Sequence, residues 1–473
     1  MSSGYAEDSS DYPKDTGVVA SRTDTLGFEP TISSTPCHSG ERVFRSGLKR
    51  PARRAMQGLL LASCSWHALF GQQVQTYTWA QIRDKFEKVN PTLRAGQLNI
   101  DESRAQEITA YLRPNPDAAI SADGTQLTPY RGIYRPFAGT QISPSISYLH
   151  ERARKRELRL ENAEKGTAVT RSQQDDLVRT MTFNLRSAFV QTLQAKAVLA
   201  VAVENLTYYD KVIALSRDRL AAGDMARVDL DRIELARVQY ESELEQADVS
   251  LRTAKIQLLT LLNDRTPINQ FDVSGPFEFS SEVAPLDEIR RAALEARPDL
   301  KAAMQSVDQA RTAHQLAIAN GSTDPTFSLW WTHNPSFNNP YDFNTIGFSV
   351  DIPLRIFDRN QGEKERTAID IQKNQRQEDA AAAQVLSDVD SAYATLQSNL
   401  NLLRPYRDKY MAQALSVRET VSFAWQHGGA ALIDFLNAQN DYRSIQLNYL
   451  DLVGSYLTAA SQLNLAVGRE VIQ

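Results

Sequence analysis

Residues 90–106, NPTLRAGQLNIDESRAQ, reappear in outline at 297–313 as RPDLKAAMQSVDQARTA. Pro91 pairs with Pro298, Leu93 with Leu300, Ala95 with Ala302, Asp101 with Asp308 and Arg104 with Arg311, all at one offset. Farther along, RSAFVQTL at 186–193 matches DSAYATLQ at 390–397, and the Gly223 to Asp229 spacing recurs from Gly428 to Asp434. Self-similarity over a long period means that one structural unit is used twice. The fold therefore has to place two copies, at 78–263 and 286–469.

Each copy reads helix, strand, loop, strand, then a very long helix, a Gly-containing turn and another long helix. In the first copy the period predicts helices from about Trp79 to Leu112, Ser172 to Ala222 and Met225 to Leu262. In the second it predicts Leu286 to Ala319, Glu363 to Gln426 and Ala430 to Val467, with a kink or break at Pro405. The helix ending at Ala222 would reach roughly 75 Å, far beyond a globular helix. From Val228 the apolar residues form a narrow stripe, including Leu230, Ile233, Leu235, Val249, Ile256 and Leu258, that suits a coiled-coil seam.

Four stretches alternate instead, at about 116–124, 141–149, 325–333 and 344–354. Phe327, Leu329, Trp331, Ile346, Phe348, Val350 and Ile352 fall on one side, whereas small Ser, Thr and Asp residues dominate the other. Segments of about ten residues with this alternation fit tilted membrane-spanning strands, apolar toward lipid and polar toward a lumen. Four strands cannot close a barrel, and an open edge in lipid leaves backbone groups unsatisfied. Three copies would supply twelve strands and a water-filled lumen. The expected fold is thus a mixed α/β membrane protein: a long helical coiled-coil barrel joined to a β-barrel shared by a homotrimer.

Net charge is -5, and Lys and Arg are dispersed along the chain, so no electrostatic footprint for nucleic acid exists. The two cysteines, Cys37 and Cys64, both precede the periodic region, and the six histidines are scattered. No metal-ligand spacing, nucleophile elbow or phosphate loop is present, so neither an enzyme nor a cofactor or metal site is expected. Residues 1–44 read as a disordered leader, with the true start misplaced, and 45–71 as a signal peptide, basic then apolar. Within it, LASC at 61–64 resembles the lipobox of bacterial lipoproteins, which marks Cys64 as a candidate lipidation site; cleavage near Gly71 is the alternative.

From about Thr78 to Arg469 the chain resembles the TolC-like outer membrane efflux proteins. The resemblance rests on TWAQIRDKFEKVNPTLRA, the doubled layout, LAAGDMARVDLDR and QHGGAALIDFLNAQNDY at the helical hairpins, and IGFSVDIPLRIFDRNQG after the last strand. Within that family, PLRIFDRNQG at 353–362 and HERARKRELRLENA at 150–163 look most like the cation-efflux branch of the cobalt, zinc and cadmium type.

The resemblance implies a trimeric duct in the bacterial outer membrane with a large periplasmic portion. Its implied partners are a periplasmic membrane-fusion adaptor and an inner membrane transporter of the resistance-nodulation-division class or similar. It also implies that Gly223, Asp224, Asp229, Gly428, Gly429 and Asp434 form the periplasmic tip and adaptor contact. The substrate stays open between metal cations and small organic solutes. The rival reading is an exported coiled-coil scaffold whose alternating segments are linkers; Phe327, Trp331 and Phe348, which a rod would leave exposed on one strand face, disfavour it.

Overall fold

The computed structural model describes residues 75–280, 282–334 and 344–472. The expected leader at 1–44, the signal peptide at 45–71 with Cys64, and most of the loop NPSFNNPYD lie outside them.

Each repeat opens with two helices where the apolar period suggested one. Helices α1 (Trp79–Val89) and α2 (Pro91–Tyr111) part at Asn90. Downstream, α5 (Leu286–Ala296) and α6 (Pro298–Asn320) part at Arg297. The cause is the following proline, which drives the preceding residue out of helical space: Asn90 has ψ 122 and Arg297 has ψ 121. The single helices expected over Trp79 to Leu112 and Leu286 to Ala319 are therefore corrected. Asn90 converts the break into a cap, its Oδ1 accepting from the N–H groups of Thr92 at 2.9 Å and Leu93 at 3.1 Å. Arg297 cannot cap; its buried guanidinium instead binds Asp299, Asp388 and the Ala466 carbonyl.

The long helices follow the strands. Helix α3 (Lys155–Ala222) has 68 residues and runs for about 100 Å. It begins at Lys155 rather than at the expected Ser172, because its first turns are charged and bury little that the apolar period can register. Next come α4 (Arg227–Leu261), α7 (Gln361–Pro405), α8 (Met411–Gln426) and α9 (Leu432–Val467). A single π turn, Tyr406–Tyr410, joins α7 to α8 directly after Pro405, where the missing N–H and the ring widen the helix.

The apolar stripe of α4 divides into two seams. Ile233, Tyr240, Ala247 and Ala254 recur every seven residues and are buried. Val228, Leu235, Val249 and Ile256 lie on a second seven-residue register and are exposed. The sequence period cannot separate these, since both obey the same repeat.

One antiparallel sheet takes strands from both repeats in the order β2 (Asp117–Asp123), β3 (Gln141–Leu149), β5 (Thr326–His333), β6 (Asn344–Asp351). Ile352 falls just past β6, so the fourth strand is shorter than expected. A separate parallel pair, β1 (Gln75–Tyr77) with β4 (Phe271–Val273), was not expected. Three residues give alternation no length to show itself. Among the described residues three cores hold the helices: one around Leu396, Tyr456 and Leu463, one around Phe86, Leu185 and Phe271, and one around Tyr209, Trp425 and Phe435.

Candidate channel wall, junction and helical tip

The register sorts the sheet into two chemically distinct faces. On one, Ala118, Ile146, Leu329 and Phe348 stand opposite one another across all four strands. Phe327 pairs with Val350 and Trp331 with Ile346 on that face, and Phe327, Leu329, Trp331, Ile346, Phe348 and Val350 are all exposed. On the other face the row Asp117, Ser147, Ser328, Ser349 crosses the sheet. Trp330 is the one aromatic residue of these strands on that small-residue face, lying between Ser145 of β3 and Gly347 of β6.

Pro144 sits inside β3 although this strand has neighbours on both sides. Its pairing with Ile120 of β2 is intact, but the β3 to β5 ladder skips from Ile142 to Ser145. Proline has no N–H to donate, so the ladder is interrupted there. A hydroxyl contact between Ser143 and Thr332, at 3.0 Å, bridges the gap.

Where strands hand over to helices, the two repeats are locked together. Asp324, just before β5, accepts the Arg152 N–H at 2.9 Å and pairs with Lys155. Lys155 is itself buried and donates to the Ser322 carbonyl at 2.9 Å. Arg159 forks onto Glu151 and reaches the Ala110 carbonyl at the end of α2. Helix α7 starts after Asn360, whose φ of 61 is left-handed and whose Nδ2 donates to Ala317 at 2.7 Å. The segments 150–163 and 353–362, singled out in the sequence, both lie at this junction.

Both helical hairpins turn by the same device. Gly223 has φ +82, its N–H donates to Leu220, and the Asp224 N–H donates to Arg219 at 2.9 Å. Gly428 has φ +76, its N–H donates to Trp425, and the Gly429 N–H donates to Ala424 at 2.7 Å. Each is a Schellman closure, which glycine makes without the penalty a Cβ brings. Gly429 has no positive φ. Asp434 reaches back to the Ala431 N–H at 3.3 Å, a capping interaction at the start of α9, and Asp229 is a first-turn acid of α4.

The residues beneath the turns were not singled out in the sequence. Trp425 stacks on Phe435 at 4.5 Å, and Tyr209 packs against Tyr240 with the rings tilted and their centres 4.2 Å apart. Burial pushes both phenols above their ordinary pKa, while Arg443 lies over Tyr240 at 5.2 Å. They escape the sequence because an aromatic on a helical period reads as ordinary core. Among the described residues no group of three His, Cys, Asp or Glu side chains is placed to hold a metal ion.

The family resemblance read from the sequence holds. The model of the family described as "Outer membrane efflux protein" matches residues 289–469. A cobalt-zinc-cadmium resistance protein, CzcC, from Cupriavidus metallidurans is 23% identical over 392 residues, covering 80% of this chain and 87% of that one. The outer membrane efflux protein BepC of Brucella suis is 23% identical over 292 residues, covering 60% of this chain and 62% of that one. Among solved structures, CusC superposes with a TM-score of 0.70 at 18% identity, covering 83% of this chain and 92% of CusC. The Vibrio cholerae outer membrane protein VceC gives 0.67 at 15% identity, covering 83% and 97%. The fold is that of the TolC-like outer membrane channels with their helical tunnel.

Proposed function

We propose that three copies of this chain close one twelve-stranded barrel in the bacterial outer membrane and extend it as a helical tunnel through the periplasm. The assembly is a passive exit duct of a tripartite efflux pump. The observation that carries this reading is the four-stranded sheet: among the described residues its outer strands β2 and β6 each have one unpaired edge, and one of its faces is exposed and apolar. In lipid such edges have to be paired, and only further copies supply strands of the right length. The exposed seven-residue seam of α4 supports association of copies, since it needs a helix to cover it.

In this assembly Phe327, Leu329, Trp331, Ile346, Phe348, Val350 and Ile352 face lipid, and the serine rows face water. The turns at Gly223 and at Gly428 and Gly429 form the periplasmic tip, which meets a membrane-fusion adaptor and, through it, an inner membrane transporter of the resistance-nodulation-division class or similar. Asp224, Asp229 and Asp434, tripled by symmetry, would place acidic rings near the mouth and favour cations. The name of the Cupriavidus relative favours metal cations as substrates. Small organic solutes are the second reading, favoured by the absence of a metal-holding cluster among the described residues.

Membrane fractionation followed by mass measurement in detergent tests the assembly. A trimer that inserts into planar bilayers and conducts is expected. A detergent-free soluble monomer overturns the reading. Substrate class is read from the sensitivity of a deletion strain to zinc, cobalt and cadmium against a panel of organic toxicants.

A further inference from the structure

Trp330 and Gly347 are directly paired neighbours on β5 and β6. A Cβ built on Gly347 would fall 2.3 Å from Cε2 and Cζ2 of Trp330 and 2.7 Å from its Nε1. No real Cβ approaches an indole so closely, so the ring lies across the bare backbone of residue 347. It is only partly exposed, whereas Trp331, next in the chain and on the opposite face, is exposed. The positions around it on the same face are Ser328 and Thr332 on its own strand, Ser145 on β3, and Thr345 and Ser349 on β6. None is large enough to hold an indole upright.

We infer that Gly347 is a positioning residue that keeps the Trp330 indole flat against the inner wall of the barrel, and that this pairing keeps the lumen clear at its level. The inference rests on the duct reading, which makes the small-residue face the lumen face. An eight-stranded barrel is filled by its own side chains and one of sixteen strands leaves an aqueous channel. A barrel of about twelve strands lies between these, where three indoles turned inward would narrow the bore. With any side chain at position 347 the ring loses its seat and swings into the lumen, three times over by symmetry.

The test is single-channel conductance of the full-length protein in planar bilayers, for potassium and for tetrabutylammonium. Wild type and Trp330→Ser should conduct potassium alike, because a ring on the wall removes little bore. Gly347→Ala should conduct roughly twofold less potassium and pass tetrabutylammonium still less readily. The double variant Gly347→Ala with Trp330→Ser should regain the wild-type value, which a merely structural loss at Gly347 would not. Equal conductance of Gly347→Ala and wild type, or a double variant that stays low, overturns the inference. A wild type that forms no channel overturns the duct reading instead.

A second measurement does not require the alanine variant to insert. With glycine selectively labelled, the α-protons of Gly347 should resonate upfield in the wild type, from the ring above them, and return to ordinary values in Trp330→Ser. Identical shifts in the two proteins would remove the contact on which everything else depends.

Discussion

The guanidinium of Arg219, near the end of α3, lies 5.3 Å from the indole of Trp425 near the end of α8, and its Nη1 donates to the Trp425 carbonyl at 3.3 Å. The two residues belong to different repeats, so this contact fastens one hairpin turn to the other. Trp425 is in turn buried against Phe435, which ties the same point to α9.

Trp425→Ala should therefore loosen both turns at once. The loss of a buried indole costs about 3–5 kcal/mol, and the loss should stay local because the other two cores share no residue with this one. Hydrogen exchange should accelerate over the turns at Gly223 and Gly428 while α5 and α1 keep their protection. Acceleration everywhere would contradict a separate tip unit.

The two glycines of the second turn should behave differently. Gly428→Ala places a Cβ on a left-handed residue at φ +76 and should cost about 1–2 kcal/mol. Gly429→Ala meets nothing closer than the Ala424 carbonyl at 3.5 Å and should be nearly neutral. Denaturation midpoints of the two variants, measured side by side, check the order.

Asp434 and Asp229 occupy matching positions, yet only Asp434 makes the capping bond. Asp434→Ala should cost about 1 kcal/mol. Asp229→Ala loses only its interaction with the helix dipole, about 0.3–1 kcal/mol. Exchange rates in the first turns of α9 and α4 report each loss separately. A greater loss in α4 than in α9 would count against the capping role.

The exposed seam of α4 should matter to assembly and not to the fold of one subunit. Leu235→Asp and Val249→Asp put charges on side chains that touch no core of their own subunit. Each should shift the mass in detergent from the proposed trimer toward monomer while circular dichroism retains its helical signal. A trimer that tolerates both charges would show that another surface joins the copies.

The pair of Lys85 with Asp264 fixes a pH window. Burial opposes the charge of Asp264, but hydrogen bonds from Lys85 and from Thr266 bring its pKa down to about 2. An unfolded aspartate titrates near about 3.9. A carboxyl with the lower pKa when folded contributes stability that is whole above the unfolded value and disappears as pH falls through the folded one. Asp264→Asn should thus lower the melting temperature at pH 7, and its difference from wild type should shrink as pH drops from about 4 to about 2. A difference independent of pH would exclude the charge as its source.

Much of this architecture is written in one dimension. The doubled order of elements, the four alternating segments and the hairpin glycines all depend on local rules. A strand shows its faces two residues apart, a long helix shows its period, and a Schellman turn asks for glycine at one position. Thus Gly223 and Gly428 could be found without coordinates, and so could the face that carries Phe327 and Phe348. Tertiary structure decided what depends on distance across the chain. Asn90 and Arg297 break helices whose period runs on regardless, and β1 and β4 exist only because residues far apart in sequence meet. The stripe of α4 is one pattern in the sequence, but packing against α3 buries Ile233 and leaves Leu235 in the open. Trp330 is a polar-face exception in the sequence and becomes intelligible only when β6 brings Gly347 beneath it. Periodicity specifies which way a side chain points, whereas what it meets there is set by a neighbour the period does not contain.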